Sequence, residues 1–92
     1  MRISARNQLK GVISAVKNGA VNGIVVIELG ESSVSADITM ESIKGLGIAE
    51  GKEAIAIIKA SNVMFAAGSE RIAGISARNQ LVGTVSTIRK GA

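Results

Sequence analysis

The sequence predicts an all-β fold with one short helix, on three observations. Apolar and polar residues alternate over several short runs that are separated by glycine- and serine-containing turns, as in β-strands. One segment, residues 39–47, instead carries the start and stop signals of a helix. The order strand, strand, strand, helix, strand, strand fits a small OB-like β-barrel, closed or partly open.

The first two strands are predicted to form a β-hairpin. The segment Leu9–Lys17 carries spaced Val and Ile residues, and a second apolar run, Val21–Leu29, follows after a short turn that contains Gly19. Two such runs joined by a short turn are the usual signal of antiparallel strands. In the second run apolar residues fall on both faces, so we expect one of those faces to meet a partner chain.

Three more strands are expected farther along the chain. Residues 34–38 alternate between apolar and polar, which predicts a half-buried strand. The isoleucine-rich segment Glu53–Lys59 predicts the fourth strand, and Val63–Ala66 predicts the fifth. Phe65, the only aromatic residue of the chain, lies in this last apolar run, and we expect it in the core.

The helix is predicted from its two ends. Thr39 is the expected N-cap, and Glu41 in the first turn favours the positive end of the helix dipole. Ile43 and Leu46 are expected to face the core, and Gly47 is expected to end the helix.

An internal repeat sets the domain organisation. Residues 3–9, ISARNQL, return unchanged as residues 75–81, and the similarity continues to Ala92. Residues 1–69 are therefore expected to be one complete domain, and residues 70–92 a linker and the repeated first strand of a second, incomplete domain. Because a lone strand leaves its backbone groups unpaired, we expect this strand to join a sheet edge of its own unit or of a neighbour.

The composition excludes several classes of function. The chain has no Cys and no His, and most of its carboxylates fall in predicted turns or on solvent faces, so neither an enzyme nor a metal-cation site is expected. One aromatic residue is too few for a base-stacking surface, so no nucleic-acid partner is expected. No leader peptide or membrane-length apolar segment is visible, which predicts a cytoplasmic protein without a membrane partner.

Small size and charge favour a homo-oligomer that binds an anion. A unit of this length without disulfides or zinc often gains stability by oligomerisation. The net charge is +4, which favours anionic ligands. Hydroxyl, Arg and Lys side chains could together wrap a tetrahedral oxyanion, and the candidates are Ser4, Arg6, Asn7, Thr39, Lys59 and Ser61. Equally, Ser4 and Thr39 could be simple caps, and Arg6 and Lys59 solvated surface charges.

Four motifs in order resemble the molbindins, the small molybdenum-pterin-binding or Mop domains. They are SARNQLKG from Ser4, KNGAVN from Lys17, the IT at 38–39 before a helix that ends in LG, and IKASNVM from Ile58. The resemblance implies an OB-like barrel that assembles as strand-exchanged trimers or hexamers and binds molybdate or tungstate between subunits. The site residues that it implies are Ser4, Ala5, Arg6, Thr39, Lys59, Ala60 and Ser61.

The resemblance also implies a second anion site, while the incomplete repeat departs from the family and could contribute only together with residues of a complete unit. A second anion site would involve Gly19, Ala20, Val21 and Asn22, and the repeat could contribute Ser76, Ala77 and Arg78. The expected role is storage or buffering of the oxyanion. Two alternatives stay open: the ligand-sensing module of a molybdate-responsive regulator or importer, and an assembly protein with a degraded anion site.

Overall fold

A computed structural model of the chain describes residues 7–73 and 79–91. The described part contains strands β1 (Asn7–Lys17), β2 (Asn22–Glu28) and β3 (Ser33–Thr39), helix α1 (Met40–Gly45), strand β4 (Glu53–Ile58) and a 3₁₀ turn (Ala60–Asn62). The predicted order of three strands, helix and strand is confirmed, and the strand bounds agree within a few residues.

The strands form one antiparallel sheet in the order β3-β2-β1-β4. The sheet curls into a half-barrel, which confirms the OB-like fold class. β1 is the central element, because it pairs with β2 along one side and with β4 along the other. A bulge between Ile13 and Ala15 interrupts the β1–β2 register, and such a bulge bends a strand locally. In this strand order, β3 and β4 are the two edges of the sheet.

The core lies inside this curl and is wholly aliphatic. Its buried cluster consists of Ile13, Val25, Ile27 and Ile43, which come from β1, β2 and α1. Val25 and Ile27 alternate with half-buried residues along β2, as a strand with one covered face requires. α1 thus closes the core from one side with a single buried side chain, that of Ile43.

The cap and stop signals of α1 act as predicted, but one core assignment is wrong. Thr39 is the N-cap, and the N–H groups of Gly47 and Ile48 donate to the carbonyls of Lys44 and Ile43, which is a Schellman C-cap. Gly47 has φ +64°, a left-handed conformation that glycine adopts without strain. The turn directs Ile48 onto the core, whereas Leu46 is 75% exposed.

The predicted fifth strand is absent. Residues 63–66 have no strand pairing, and Phe65, expected in the core, is 88% exposed. Residues 79–91 form no strand on their own unit, since none of them belongs to a strand. The other expected placement, on the sheet edge of a neighbouring copy, stays a prediction. A strand forms only where another strand supplies hydrogen-bond partners, and this single chain supplies none to either segment within the described residues.

One residue of the repeat does dock on the sheet. The side-chain amide of Asn79 accepts a hydrogen bond from the Ser35 N–H (2.7 Å) and donates one to the Ser35 carbonyl (2.8 Å). Ser35 lies on the edge strand β3, so Asn79 satisfies a backbone donor and acceptor that face away from β2. Gln80 makes the same two-way contact with the backbone of Ile72, at 2.7 and 2.9 Å.

Candidate functional site

Thr39 lies at the junction of β3 and α1. Its Oγ1 accepts the N–H of Ser42 at 3.2 Å, and its hydroxyl donates to the Ser42 Oγ at 2.9 Å. Both bonds belong to helix capping, so the simpler role considered for this residue is the one seen in the structure. The side chain is nevertheless exposed and sits beside a backbone turn of the hairpin.

That turn contains the predicted second anion site, residues 19–22. Asn22 pairs with Thr39 across β2 and β3, and the Met40 N–H donates to the Val21 carbonyl at 2.7 Å. A side chain at Gly19 would collide with the carbonyl oxygen of Asn22, so the tightness of the turn requires glycine. The structure therefore brings Thr39 and residues 19–22 into one exposed cluster, here called the Thr39 cluster.

Lys59, Ala60 and Ser61 lie elsewhere, directly after β4. Lys59 has extended backbone angles (φ −69°, ψ 132°), and its carbonyl accepts the Asn62 N–H at 2.9 Å as the 3₁₀ turn begins. All three residues are exposed. We call this group the Lys59 cluster.

Ser4, Ala5 and Arg6 lie outside the described residues, as do Ser76, Ala77 and Arg78. Asn7, the residue after Arg6, pairs with Ile58, the residue before Lys59. The first Ser-Ala-Arg motif is therefore joined in sequence to the sheet position that borders the Lys59 cluster.

The two clusters lie at opposite ends of β1 and on opposite edges of the sheet. Ile58 pairs with the first residue of β1, whereas Lys17 at its other end pairs with Ile24, two residues from the Asn22–Thr39 pair. At about 3.3 Å per residue, the eleven residues of β1 separate the clusters by on the order of 30 Å. A tetrahedral anion of a few ångströms cannot touch both clusters of one chain.

An apolar groove lies beside the Lys59 cluster, and sequence reasoning missed it. It has a volume of about 340 Å³ and is lined by Asn7, Leu9, Ile58, Ala60, Val63, Phe65 and Leu81. The signal that could have found it was the apolar run at 63–66, which supplies Val63 and Phe65 to the lining.

The described residues were also searched for a metal-ion site and for a membrane-spanning helix. Across residues 7–73 and 79–91, no three His, Cys, Asp or Glu side chains gather closely enough to hold a metal ion. Within the same residues, no helix has the length and apolar character needed to cross a membrane.

Comparison with known proteins decides the family. A family model described as the TOBE domain matches residues 3–65. The chain is 51% identical over 65 residues to the probable molybdenum-pterin-binding protein of Haemophilus influenzae, covering 70% of this chain and 94% of that protein. It is 50% identical over 68 residues to molybdenum-pterin-binding protein 3 of Clostridium pasteurianum, covering 73% of this chain and 100% of that protein. The chain belongs to the molbindin, or Mop, family of TOBE domains.

Solved structures agree with the Mop fold. MopII from Clostridium pasteurianum superimposes with a TM-score of 0.67 at 42% identity, over 72% of this chain and 100% of that one. A molybdate-binding protein from Sporomusa ovata gives 0.70 at 27% identity, over 73% and 100%. The cytoplasmic molybdate-binding protein ModG, solved with molybdate bound, gives 0.66 at 40% identity, over 70% of this chain and 46% of that one.

A longer relative matches the Mop chain together with its repeat. The DNA-binding transcriptional dual regulator ModE of Escherichia coli is 35% identical over 94 residues, which cover 100% of this chain and 35% of that protein. Residues 79–91 thus have counterparts in a relative that is about three times as long.

Proposed function

We propose that this Mop chain binds molybdate or tungstate and serves to store or buffer it. The observation that carries the proposal is its similarity to relatives named for molybdenum, over 94% and 100% of their length. A neighbour solved with molybdate bound supports it over 46% of that chain. The proposed ligands come from Ser4, Ala5 and Arg6, from Thr39, and from Lys59, Ala60 and Ser61. The role is binding rather than catalysis, and the site is cytoplasmic, as the description of ModG supports.

The separation of the two clusters supports a site between copies of the chain. Because the Thr39 and Lys59 clusters lie at opposite ends of β1, a site that uses both must take one cluster from each of two copies. The proposed assembly is therefore a homo-oligomer, a trimer or a hexamer with exchanged strands. The unpaired run 63–66 and the apolar groove beside it are the surfaces in this chain that such an exchange would cover.

The repeat and the hairpin turn have secondary roles in this proposal. Residues 1–69 form the complete Mop domain, a division that the TOBE match over residues 3–65 supports, and residues 70–92 carry the linker and the repeated strand. Asn79, which follows Ser76-Ala77-Arg78, is bonded to Ser35, four residues before Thr39. The second motif would then contribute near the Thr39 cluster, where residues 19–22 would form the second anion site.

The chemistry of the proposed ligands favours a fully ionised tetrahedral oxyanion. Arg, Lys, hydroxyl and backbone N–H groups supply donors, and charged donors form the stronger bonds to an anion. Molybdate is a dianion at neutral pH, whereas phosphate is partly protonated and needs an acceptor for its proton. A donor-only site leaves that proton unpaired, which disfavours phosphate.

Isothermal titration of the whole chain with molybdate tests the proposal, with sulfate and phosphate as competitors. We expect uptake that persists in excess sulfate and is lost in Lys59→Ala, while the oligomer mass stays unchanged. Lys10→Ala is the matched control, because Lys10 is an exposed lysine in the middle of β1. Absence of heat from a well-folded oligomer, or equal loss in both variants, would contradict the proposal and favour an assembly protein with a degraded site.

A second candidate function is ligand sensing within a molybdate-responsive regulator or importer. The alignment of the whole chain, repeat included, with ModE of Escherichia coli favours it. DNA binding would reside in the parts of such a protein that lie outside this match. A fusion of this chain to the remaining parts of such a regulator would separate sensing from storage, since a sensor alters DNA binding when molybdate is added.

A further inference from the structure

We propose that Asn18 is a site of spontaneous deamidation, which places a negative charge beside the Thr39 cluster. The chain contains two Asn-Gly dipeptides close together, Asn18-Gly19 and Asn22-Gly23. Glycine after asparagine leaves the backbone nitrogen that reacts unshielded, because glycine has no side chain. The two dipeptides differ in their structural surroundings, and this difference carries the proposal.

Deamidation of such a dipeptide needs only the chain and water. The backbone nitrogen of the glycine attacks the side-chain Cγ of the asparagine and loses its proton. The new N–Cγ bond closes a succinimide ring, and the Cγ–Nδ2 bond breaks to release the side-chain nitrogen as ammonia. Water then opens the ring at either of its carbonyl carbons, which yields aspartate or isoaspartate. Each product carries a carboxylate in place of the neutral amide.

Asn18-Gly19 lies where this ring can close. β1 ends at Lys17 and β2 begins at Asn22, so the dipeptide belongs to the turn rather than to either strand. Both of its residues are exposed, and the Gly19 N–H donates to no backbone carbonyl of the described residues. The attacking nitrogen is therefore open to water, which can accept its proton, and no strand pairing opposes the rotation of Asn18.

Asn22-Gly23 is the same dipeptide held in the sheet. The Met40 N–H donates to the Val21 carbonyl at 2.7 Å. Bonded pairs recur at every second residue of an antiparallel ladder, so Gly23 and Ile38 exchange the next two bonds. The extended strand, with ψ of about +135°, also directs the Gly23 nitrogen away from the Asn22 side chain. Gly23 is buried as well, so water does not reach the nitrogen that would react.

The product changes the electrostatics and the geometry of the hairpin turn. A carboxylate at position 18 directly precedes residues 19–22, the proposed second anion site, and it repels a dianion. Isoaspartate also lengthens the main chain in a turn where Gly19 already lies close to the Asn22 carbonyl oxygen. The effect on anion binding rests on the proposed function, whereas the deamidation itself does not.

Peptide mapping of the aged, folded chain tests the modification. Trypsin leaves both asparagines in one peptide, residues 18–44, in which tandem mass spectrometry assigns the site. We expect conversion at Asn18 to exceed that at Asn22 by more than about tenfold, because opening a core strand costs more than about 1.4 kcal/mol. Conversion should quicken at mildly alkaline pH, where the backbone nitrogen loses its proton more readily.

Ageing in guanidinium chloride is the matched control. The unfolded chain holds neither dipeptide in a strand, so Asn18 and Asn22 should convert at similar rates. Three results would overturn the proposal: equal conversion of both residues in the folded chain, faster conversion at Asn22, or an intact Asn18 in a folded chain whose unfolded form converts at both positions.

Two substitutions test the effect of the added charge on the Thr39 cluster. Asn18→Asp carries the charge of the product, and Asn18→Ser removes the reactive amide without adding charge. In titrations with molybdate, Asn18→Asp should bind roughly threefold to tenfold more weakly at low salt, with a smaller difference at high salt. Asn18→Ser should match the native chain, and equal uptake by both variants would overturn the effect on the cluster. A chain that binds no molybdate would contradict the proposed function and leave the mapping result for Asn18 standing.

Discussion

At the scale of a single residue, Thr39 is the N-cap of α1 and a proposed anion ligand, and substitution tests the two roles separately. Its hydroxyl caps α1 through Ser42, and the proposed anion site uses the same hydroxyl. We expect Thr39→Ala to lower the free energy of unfolding by about 1 kcal/mol through loss of the cap and to lose almost all molybdate uptake. Thr39→Ser should retain both. Urea unfolding and titration measure the two effects, and full uptake by Thr39→Ala would leave the residue as a cap alone.

Gly23 is a position where the close packing of α1 on β2 requires glycine. A Cβ there would lie 2.7 Å from Ile43 Cδ1, 2.8 Å from the Lys17 carbonyl oxygen and 3.0 Å from Met40 Sδ. We expect Gly23→Ala to cost about 1–3 kcal/mol of unfolding free energy through overpacking. Gly45→Ala is the matched control, since open space surrounds that position. It should be neutral or stabilising by up to about 1 kcal/mol, and equal losses in both variants would contradict the packing argument.

At the scale of elements, α1 contributes one fully buried side chain to the core, that of Ile43. Ile43 is 5% exposed and packs in the buried cluster, whereas Leu46, expected in the core, is not covered. We expect Ile43→Ala to cost about 2–5 kcal/mol of unfolding free energy, and Leu46→Ala to change it little. Thermal and urea unfolding of the two variants give the comparison, and a large loss in Leu46→Ala would show that a partner covers that residue.

The contact of Asn79 with β3 predicts a local change in hydrogen exchange. In the native chain the Ser35 amide is bonded to Asn79, whereas the Asp37 amide points outward along the same edge. We expect Asn79→Ala to speed exchange at Ser35 and to leave Asp37 unchanged. Amide exchange measured residue by residue tests this, and unchanged protection at Ser35 would mean that another group occupies the edge.

The elements that sequence reasoning predicted are those whose signals are local. Thr39 and Gly47 mark the ends of α1 by their own chemistry, and alternation along β1 to β4 follows from one covered face. Leu46 was misplaced because the left-handed turn at Gly47 gives its expected position to Ile48. Residues 63–66 have the composition of a strand, but pairing depends on a partner strand that no local pattern can locate.

The residues of the candidate site were likewise predictable from local motifs, whereas their arrangement in space was not. The motifs indicated Thr39, residues 19–22 and Lys59-Ala60-Ser61, and the structure joins the first two groups through the Asn22–Thr39 pair. The distance from these to Lys59 was not predictable, because it depends on strand order, which places β3 and β4 on opposite edges of the sheet. The groove around Phe65 was missed for a related reason, since burial was inferred for a run that has no strand partner among residues 7–73 and 79–91.

At the scale of the whole molecule, the separation of the two clusters predicts complementation between defective subunits. In the proposed site, Thr39→Ala and Lys59→Ala each remove one of the two halves that two copies would share. When the two variants are unfolded together and refolded as mixed oligomers, random assembly makes about one site in four from two intact halves. Each variant alone should bind almost no molybdate, and the mixture should recover about a quarter of the native stoichiometry.

The control for this experiment is to mix the variants after folding, without subunit exchange, which should restore no uptake. A site confined to one chain would also give none in the refolded mixture, because every chain then lacks one of its own ligands. Complementation would therefore locate the proposed site between copies, while its absence from oligomers of native mass would contradict the placement argued from β1. The measured fraction also reports on assembly, since preferential pairing of unlike chains would raise it above a quarter.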